Sequence, residues 1–296
     1  SVYLMSYFKA SAQHLFYAYS RDGKTWTDIN GSRPVFNAYD DEVWLRDPYL
    51  HRVTHNGKTK FHLIHTWGWD HPALFHWESD DLIHWTAANG GTRTDDGKIM
   101  LMDGHDGGPV SPNAWAPEFT YDGQTGTFYL YWSSRIGDRQ VHHYCTTKDW
   151  FTFSTPAVYF DPGFTAIDMT ILKEGDTYYA YYKDERNGEK TIRCATSKSL
   201  DPRVQRFEGS TPLLPSRYIE VEGPEVFPAI GGKGWFLYFD KFNGDRGVSY
   251  TGCTDPSQHK WYPIPDDEIR NPTEVKHGSV EIISTAELEK LLEHFK

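Results

Sequence analysis

Four short segments of this chain open on a group that can take up or give a proton and run at once into a strand-like stretch. They are Asp47-Pro-Tyr-Leu, Asp168-Met-Thr-Ile-Leu, Glu222-Gly-Pro-Glu-Val-Phe and His277-Gly-Ser-Val-Glu-Ile-Ile. A fifth of the same shape, Trp115-Ala-Pro-Glu-Phe, opens on an indole. One ionised carboxylate can activate water, and one protonated carboxyl can protonate a leaving oxygen. With aromatic platforms nearby, such a set suits a sugar, whose C–H face stacks on indole. Crowding three acids raises at least one pKa, which keeps a proton donor protonated near neutrality. Asp168 lies between Ile167 and Met169, where a strand buries alternate residues, and an unpaired buried carboxylate is costly, so a role is expected there. Asp-Pro alone is a common turn dipeptide, and Asp47 gains meaning only from its place in the pattern. Spacing alone leaves Glu220, Glu222 and Glu225 as alternatives for the acid.

What would bring these openers together is an internal repeat. Phe16 to Trp26 (strand, Ser-Arg-Asp-Gly turn, aromatic) recurs as Leu74 to Trp85, and more weakly as Val141 to Phe153, Ile192 to Phe207 and Val248 to Trp261. The closing aromatics stand 59, 68, 54 and 54 residues apart, a period that suits a four-stranded unit. An aromatic-rich strand precedes each copy, and the opener segments precede four of those strands. The first copy lacks an opener, and His277 to Ile283 at the other end of the chain supplies it. The expectation is an all-β, five-bladed β-propeller over residues 1–296 as a single domain, closed by pairing of the N- and C-terminal strands in one blade. Ser284-Thr-Ala-Glu287 reads as a capping box, with Leu288, Leu291, Leu292 and Phe295 on one face of a short C-terminal helix. In such a ring the inner-strand openers meet at one mouth of the channel. The next strands, antiparallel, return Trp67, Trp69, Arg135, Lys183, Asp240 and Lys241 to the same mouth.

Composition narrows the function. Of 296 residues, 30 are Lys or Arg and 41 Asp or Glu, so a net charge of -11 argues against a nucleic-acid partner. No apolar run is long enough for a membrane span, and Ser1 leads straight into a strand without a basic-then-apolar leader. Cys145, Cys194 and Cys253 form no CxxC pair, which suggests neither a disulfide framework nor a thiolate zinc site. Aromatic content of 16%, with 25 Gly and 17 Pro, favours strands joined by turns.

The set Arg46-Asp47-Pro48, Trp115-Ala-Pro-Glu118, Ala166-Ile-Asp168, Val221-Glu222-Gly-Pro224 and Lys276-His277-Gly278 resembles glycoside hydrolase family 43, five-bladed propeller enzymes that include arabinofuranosidases, β-xylosidases, arabinanases and some galactosidases. The resemblance spans the whole chain. It implies Asp47 as general base, Glu222 as general acid and Asp168 as the carboxylate that orients the acid and tunes its pKa. The strand starts and returns give a candidate substrate-binding set of Arg46, Trp67, Trp69, Trp115, Glu118, Arg135, Lys183 and His277, of which His277 suits the family's central histidine, and the resemblance implies a secreted or periplasmic setting. For the tryptophans the competing role is packing between blades; for Arg46, Arg135 and Lys183 it is a solvated salt-bridge network. No cofactor is required. Some relatives hold calcium at the central channel, where His277 would act through water. Calcium takes about six to eight oxygens, and no loop supplies them in an evident way. The base motif comes after a complete hairpin, and Glu118 stands where Asp is frequent, which places the chain in a divergent branch.

These readings imply an exo-acting, inverting glycosidase that frees a terminal arabinofuranosyl or xylosyl unit from a polysaccharide or oligosaccharide. The long loops Asn89 to Pro112 and Arg206 to Tyr218 favour a pocket over a groove. The alternatives are an exo-galactosidase and a binding propeller without catalysis, though a lectin gains nothing from desolvating three carboxylates. The Ser20-Arg-Asp-Gly turn resembles the sialidase Asp-box, yet only Arg46 opens an inner strand, short of the arginine cluster that a sialic acid requires.

Overall fold

The computed structural model describes residues 1–37, 44–87, 97–215, 218–232, 234–242, 247–253 (backbone only) and 260–296. Its strands form four four-stranded sheets and one five-stranded sheet. In the first, β21 (Gly278–Ile283), β1 (Val2–Lys9), β2 (Ala12–Ser20) and β3 (Thr27–Asp28) lie side by side, so the two ends of the chain pair antiparallel from Val2 against Ile283 to Tyr7 against Gly278. The second runs β4 (Arg46–His55), β5 (Lys58–Thr66), β6 (Ala73–Ser79) and β7 (Thr86–Ala87), with β8 (Lys98–Met100) also on β6. The third runs β9 (Trp115–Asp122), β10 (Thr127–Ile136), β11 (Arg139–Thr147) and β12 (Ala157–Phe160). The fourth runs β13 (Ala166–Glu174), β14 (Thr177–Asp184), β15 (Ile192–Ser197) and β16 (Glu208–Pro212). The fifth runs β17 (Val221–Pro228), β18 (Trp235–Lys241), β19 (Gly247–Cys253) and β20 (Tyr262–Pro263).

The second strand of each sheet is apolar on both sides because successive side chains enter different cores. Leu63 joins a core with Leu4 and Leu15 of the first sheet, whereas Ile64 joins one with Leu130 and Trp132 of the third. In the same way Tyr182 packs with Tyr131, and Tyr181 packs with Leu237. Tyr238 then packs with Tyr3, back at the first sheet. The sheets therefore stack face to face, with β21, β4, β9, β13 and β17 on the inside and each touching the next. This is an all-β, β-propeller arrangement.

The repeated Ser/Thr-x-Asp motif builds a turn. Ser20 Oγ accepts from Gly23 N and Asp22 Oδ1 from Thr25 N; Ser79 with Asp81, and Thr147 with Asp149, do the same for their own turns. The repeat is thus structural, and it lies away from the openers. In the copy at Val248–Trp261, residues 254–259 fall outside the described residues, as do 88–96 of the loop from Asn89.

One short helix, α1 (Thr285–His294), follows β21 and begins in a capping box of Ser284 and Glu287. Leu288 and Leu291 are buried and Phe295 packs on the first core, but Leu292, expected on the same face, is 38% exposed. At 100° per residue Leu292 follows Leu291 around the helix and turns off the buried stripe. Among the described residues no helix is long and apolar enough to cross a membrane. Cys145 and Cys194 are free and buried.

Candidate active site

The openers are set by one backbone device repeated in four inner strands. Pairing of β4, β9, β13 and β17 with their neighbours slips between Arg46 and Tyr49, at Ala116-Pro117, between Ile167 and Thr170, and between Glu222 and Glu225. At each slip one residue takes a left-handed conformation: Asp47 (φ 50°), Ala116 (φ 46°), Asp168 (φ 58°) and Gly223 (φ 59°). Such bulges re-aim side chains, and a positive φ at a non-glycine residue is strain that the surrounding structure must hold. The bulge places Glu222 in register with Arg46, Trp115 and Ile167, one residue before the position that Asp47 and Asp168 occupy. Only glycine fits at 223, because a Cβ there would lie 2.6 Å from Cγ of His277.

Asp47, Asp168, Glu222 and His277 line one cavity of about 340 Å³ at the end of the inner strands. Asp47 Oδ2 accepts from the Thr66 hydroxyl at 2.7 Å, and its Oδ1 lies 3.3 Å from His277 Nδ1. Burial pushes the Asp47 carboxyl up, but the hydrogen bond and charge of His277, with Arg46 and Thr66, outweigh it and hold Asp47 below its ordinary value. Burial works against a charged His277, yet Asp47 and the charges of Asp168 and Asp240 raise the imidazole to about 9. Asp168 goes the other way: burial lifts it, His277 opposes, and the charges of Glu222 and Asp47 add, for a net rise to about 7. Its Oδ2 accepts from Gly223 N at 3.0 Å, which ties it to the backbone beside Glu222.

Glu222 Oε2 receives Lys183 Nζ at 3.0 Å, and Lys183 also contacts Glu185. Burial would lower the Lys183 ammonium, but Glu222 and Glu185 raise it. Across the β17–β18 pair Glu222 faces Asp240, a buried carboxylate that Lys276 meets at 2.7 Å. Burial nevertheless pushes Asp240 up. Asp47, Glu222 and Asp240 of this mouth thus each meet a protein cation.

An aromatic rim stands over the acids. Trp69 is 51% exposed. Trp115 donates from Nε1 to the Trp69 carbonyl at 2.9 Å, and the two rings meet edge to face at 5.9 Å. The Arg46 guanidinium lies between Trp69 (4.3 Å) and Phe8 (4.7 Å) and is hydrogen-bonded to Gln13 Oε1. Arg46, Trp69, Trp115, Lys183 and His277 therefore all reach the cavity with the three acids.

Four residues expected at the mouth lie elsewhere. Trp67, directly after β5, turns into the core and stacks on His71 at 3.7 Å. Trp69 sits three residues beyond the end of β5, free of the sheet alternation. Arg135 is exposed at the end of β10, its backbone N–H bound to Asn113 Oδ1. Glu118 lies two residues past the Ala116 bulge, on the channel side but a layer deeper, and only 3% exposed. Lys241, also placed at the mouth by the strand count, instead lines a neighbouring hollow with Pro263 and Asp266, 3.5 Å from the Asp266 carboxylate. The sequence reading missed Phe8, Thr66, Glu185, Lys190, Phe242 and Lys276, all of which line the cavity. Thr66 and Lys276 could have been found, since they directly precede Trp67 and His277. Phe8 and Phe242 carry no local signal.

Residues 1–289 match a family-43-related profile described as "Probable glycosyl hydrolase domain". An α-L-arabinofuranosidase of Bifidobacterium longum subsp. longum is 27% identical over 249 residues, covering 68% of this chain and 22% of that protein. The chain thus spans about a fifth of the length of that curated relative. Among solved structures, a thermostable family-43 glycoside hydrolase superposes with a TM-score of 0.55 at 20% identity, covering 75% of this chain and 72% of that one. A family-43 β-1,3-galactosidase superposes with a TM-score of 0.64 at 12% identity, covering 88% and 55%. At these identities the solved structures speak to the fold.

Proposed function

The chain belongs to the glycosyl hydrolases related to family 43, and on that footing we propose an exo-acting, inverting glycosidase that releases a terminal arabinofuranosyl or xylosyl unit. The observation that carries this reading is the meeting of Asp47, Asp168 and Glu222 in one cavity under an indole rim, with Asp47 held down and Asp168 held up. In this reading residues 1–296 are one domain, the five sheets are the blades of a ring, and the β1–β21 pair closes it. The sequence of touching inner strands and the five inter-sheet cores support it.

Asp47 acts as the base. Thr66 and His277 occupy one side of each of its oxygens and fix the lone pair that takes a proton from water. Glu222 acts as the acid and protonates the glycosidic oxygen as water attacks the opposite face of the sugar, which inverts the anomeric carbon. Asp168, tethered beside Glu222 through Gly223 N and raised to about 7 by burial and neighbouring charge, orients the acid. Glu185 gives Lys183 a second anion, so Glu222 can take a proton without leaving the ammonium unpaired. No cofactor enters these steps. The 27% identity to an α-L-arabinofuranosidase favours arabinofuranosyl among the candidate sugars.

The test is hydrolysis of aryl α-L-arabinofuranoside, β-D-xyloside, β-D-galactoside and α-L-arabinopyranoside by wild type and Glu222→Gln. Release of one sugar by wild type, lost in the variant, with the opposite anomer as first product by NMR, is the expected result. Release of galactose alone would move the specificity. Sugar binding without turnover in wild type would leave a binding propeller.

A further inference from the structure

Away from the mouth, β5 and β6 carry a group of side chains that the proposed chemistry does not use. His62 pairs across the sheet with Glu78, and His76 precedes Glu78 by two residues on β6. Residues two apart on a strand share a face, as do directly opposed residues, so all three side chains project from one side of the hairpin. We propose that His62, His76 and Glu78 form a binding site for a zinc-class divalent ion.

The distances support this. His62 Nδ1 and His76 Nε2 share a hydrogen bond at 2.9 Å, whose proton a bound ion would replace, and each lies 4.0 Å from Glu78 Oε1. The point equidistant from three atoms so spaced lies about 2.1 Å from each, the bond length of zinc to imidazole nitrogen and carboxylate oxygen. The two imidazoles lie nearly coplanar (10°), and both rest on the indole of Trp150, at 5.4 Å and 3.7 Å between ring centroids. The two ring nitrogens therefore face each other within the ring plane, and an ion that takes the place of the shared proton turns both toward Glu78 while the indole beneath blocks neither. A tetrahedral ion needs the nitrogens about 3.4 Å apart, so the rings slide open by about half an ångström along the indole. Both histidines are buried, while the Glu78 side chain is 26% exposed, so an ion enters past the carboxylate. Two nitrogens and one oxygen select zinc, cobalt or nickel over calcium, and water completes the fourth position.

The site is separate from the mouth. His62 is four residues from Thr66, the partner of Asp47, or about 13 Å along the strand. Because Trp150 belongs to the third sheet's β11–β12 connection, a bound ion would pin the β5–β6 hairpin under a side chain of the next sheet.

The experiment is equilibrium dialysis of the full chain against buffered Zn²⁺ with metal analysis, repeated with Co²⁺ in the spectrometer. Wild type is expected to retain one equivalent, to melt at a higher temperature with Zn²⁺, and to give the intense visible bands of four-coordinate cobalt. Glu78→Gln, on a partly exposed side chain, is expected to fold as wild type, to lose more than tenfold in affinity, and to lose the cobalt bands. His62→Gln is expected to lose the same bands. Retention of no ion by wild type overturns the proposal, and so does retention that Glu78→Gln and His62→Gln leave unchanged.

Discussion

The same inner strands carry two layers of carboxylates, and the layers behave differently. At the mouth, Asp47, Asp168 and Glu222 face a cavity, with His277 on Asp47, Lys183 on Glu222 and the charge of Arg46 near Asp47. One layer deeper, Glu225 and Glu281 flank one cation, His51, at 3.7 Å and 3.0 Å, and Glu118 feels the charge of Glu225. Burial works against a charged His51, but its two carboxylate partners raise it to about 9. In the deeper layer Thr170 donates to Glu225 and Glu281 takes Arg52 N–H, away from the cavity. Acid count alone does not mark a site. A site needs carboxylates held in unlike states and open to a ligand, which here is the work of the four bulges.

The sharpest test of that contrast is Asp47→Asn against Glu118→Gln. Loss of the base is expected to lower kcat by about 10²- to 10⁴-fold with sugar binding retained. Glu118→Gln is expected to leave kcat within about twofold. If the deeper variant costs as much as the mouth variant, the layers are not functionally distinct.

Next in size is the bulge itself. At Gly223 a side chain meets both a left-handed φ and the ring of His277, so Gly223→Ala is expected to destabilise by roughly 2 kcal/mol and to displace the partner of Asp47. At the matching position of β9, Ala116→Gly is expected to stay within about 1 kcal/mol of wild type, since strain relief and unfolded-state entropy oppose each other. Chemical denaturation of both variants, with kcat for the first, checks this. Equal costs at the two positions would mean that the clash with His277 is not what fixes glycine at 223.

A smaller effect is expected from Lys183→Met. Lys183 pulls the raised Asp168 down, so its removal should let Asp168 hold its proton to higher pH. The alkaline limb of kcat/KM is expected to move up from near pH 7 by about one unit. A merely structural lysine would lower activity at every pH and leave the limb in place.

Much of this was legible in the sequence because it depends on type and period. The strand pattern, the capping box at Ser284 and the acidic openers are local signals, and a fourfold order of opener, hairpin and turn fixes which residues travel together. Depth was not legible. Glu118 and Asp47 belong to similar tripeptides, but the bulge falls at Ala116 in one and at Asp47 in the other, so the same motif aims one acid at the cavity and the other into the channel. The Gly223-Pro224 bulge shifts Glu222 by one residue for the same reason. Partners from other sheets, such as Lys276 on Asp240 or Phe8 beneath Arg46, depend on packing between segments far apart in the chain.

The deeper layer carries a prediction of its own. Burial and the charges of Glu225 and Asp168 push Glu118 well above the ordinary carboxyl value. A carboxyl raised in the folded state binds its proton more tightly there than in the unfolded chain. Its contribution is therefore intact in acid and is lost as pH rises from about 4.5 toward the folded value. Gln is isosteric with the protonated acid and has no proton to lose. Glu118→Gln should thus melt with wild type at pH 5 and above it by pH 9, by about 1 to 3 °C for a chain of this size. Asp168, His277 and His51 also weaken wild type over that range, the two histidines as pH passes through about 9; all three remain in the variant, where Asp168 is relieved of the Glu118 charge, which moves the gap in the same direction. A gap that stays flat or narrows with pH would mean that Glu118 is ionised in the channel. His51 would then neutralise three carboxylates rather than two, and the two layers would differ in access to solvent but not in charge state.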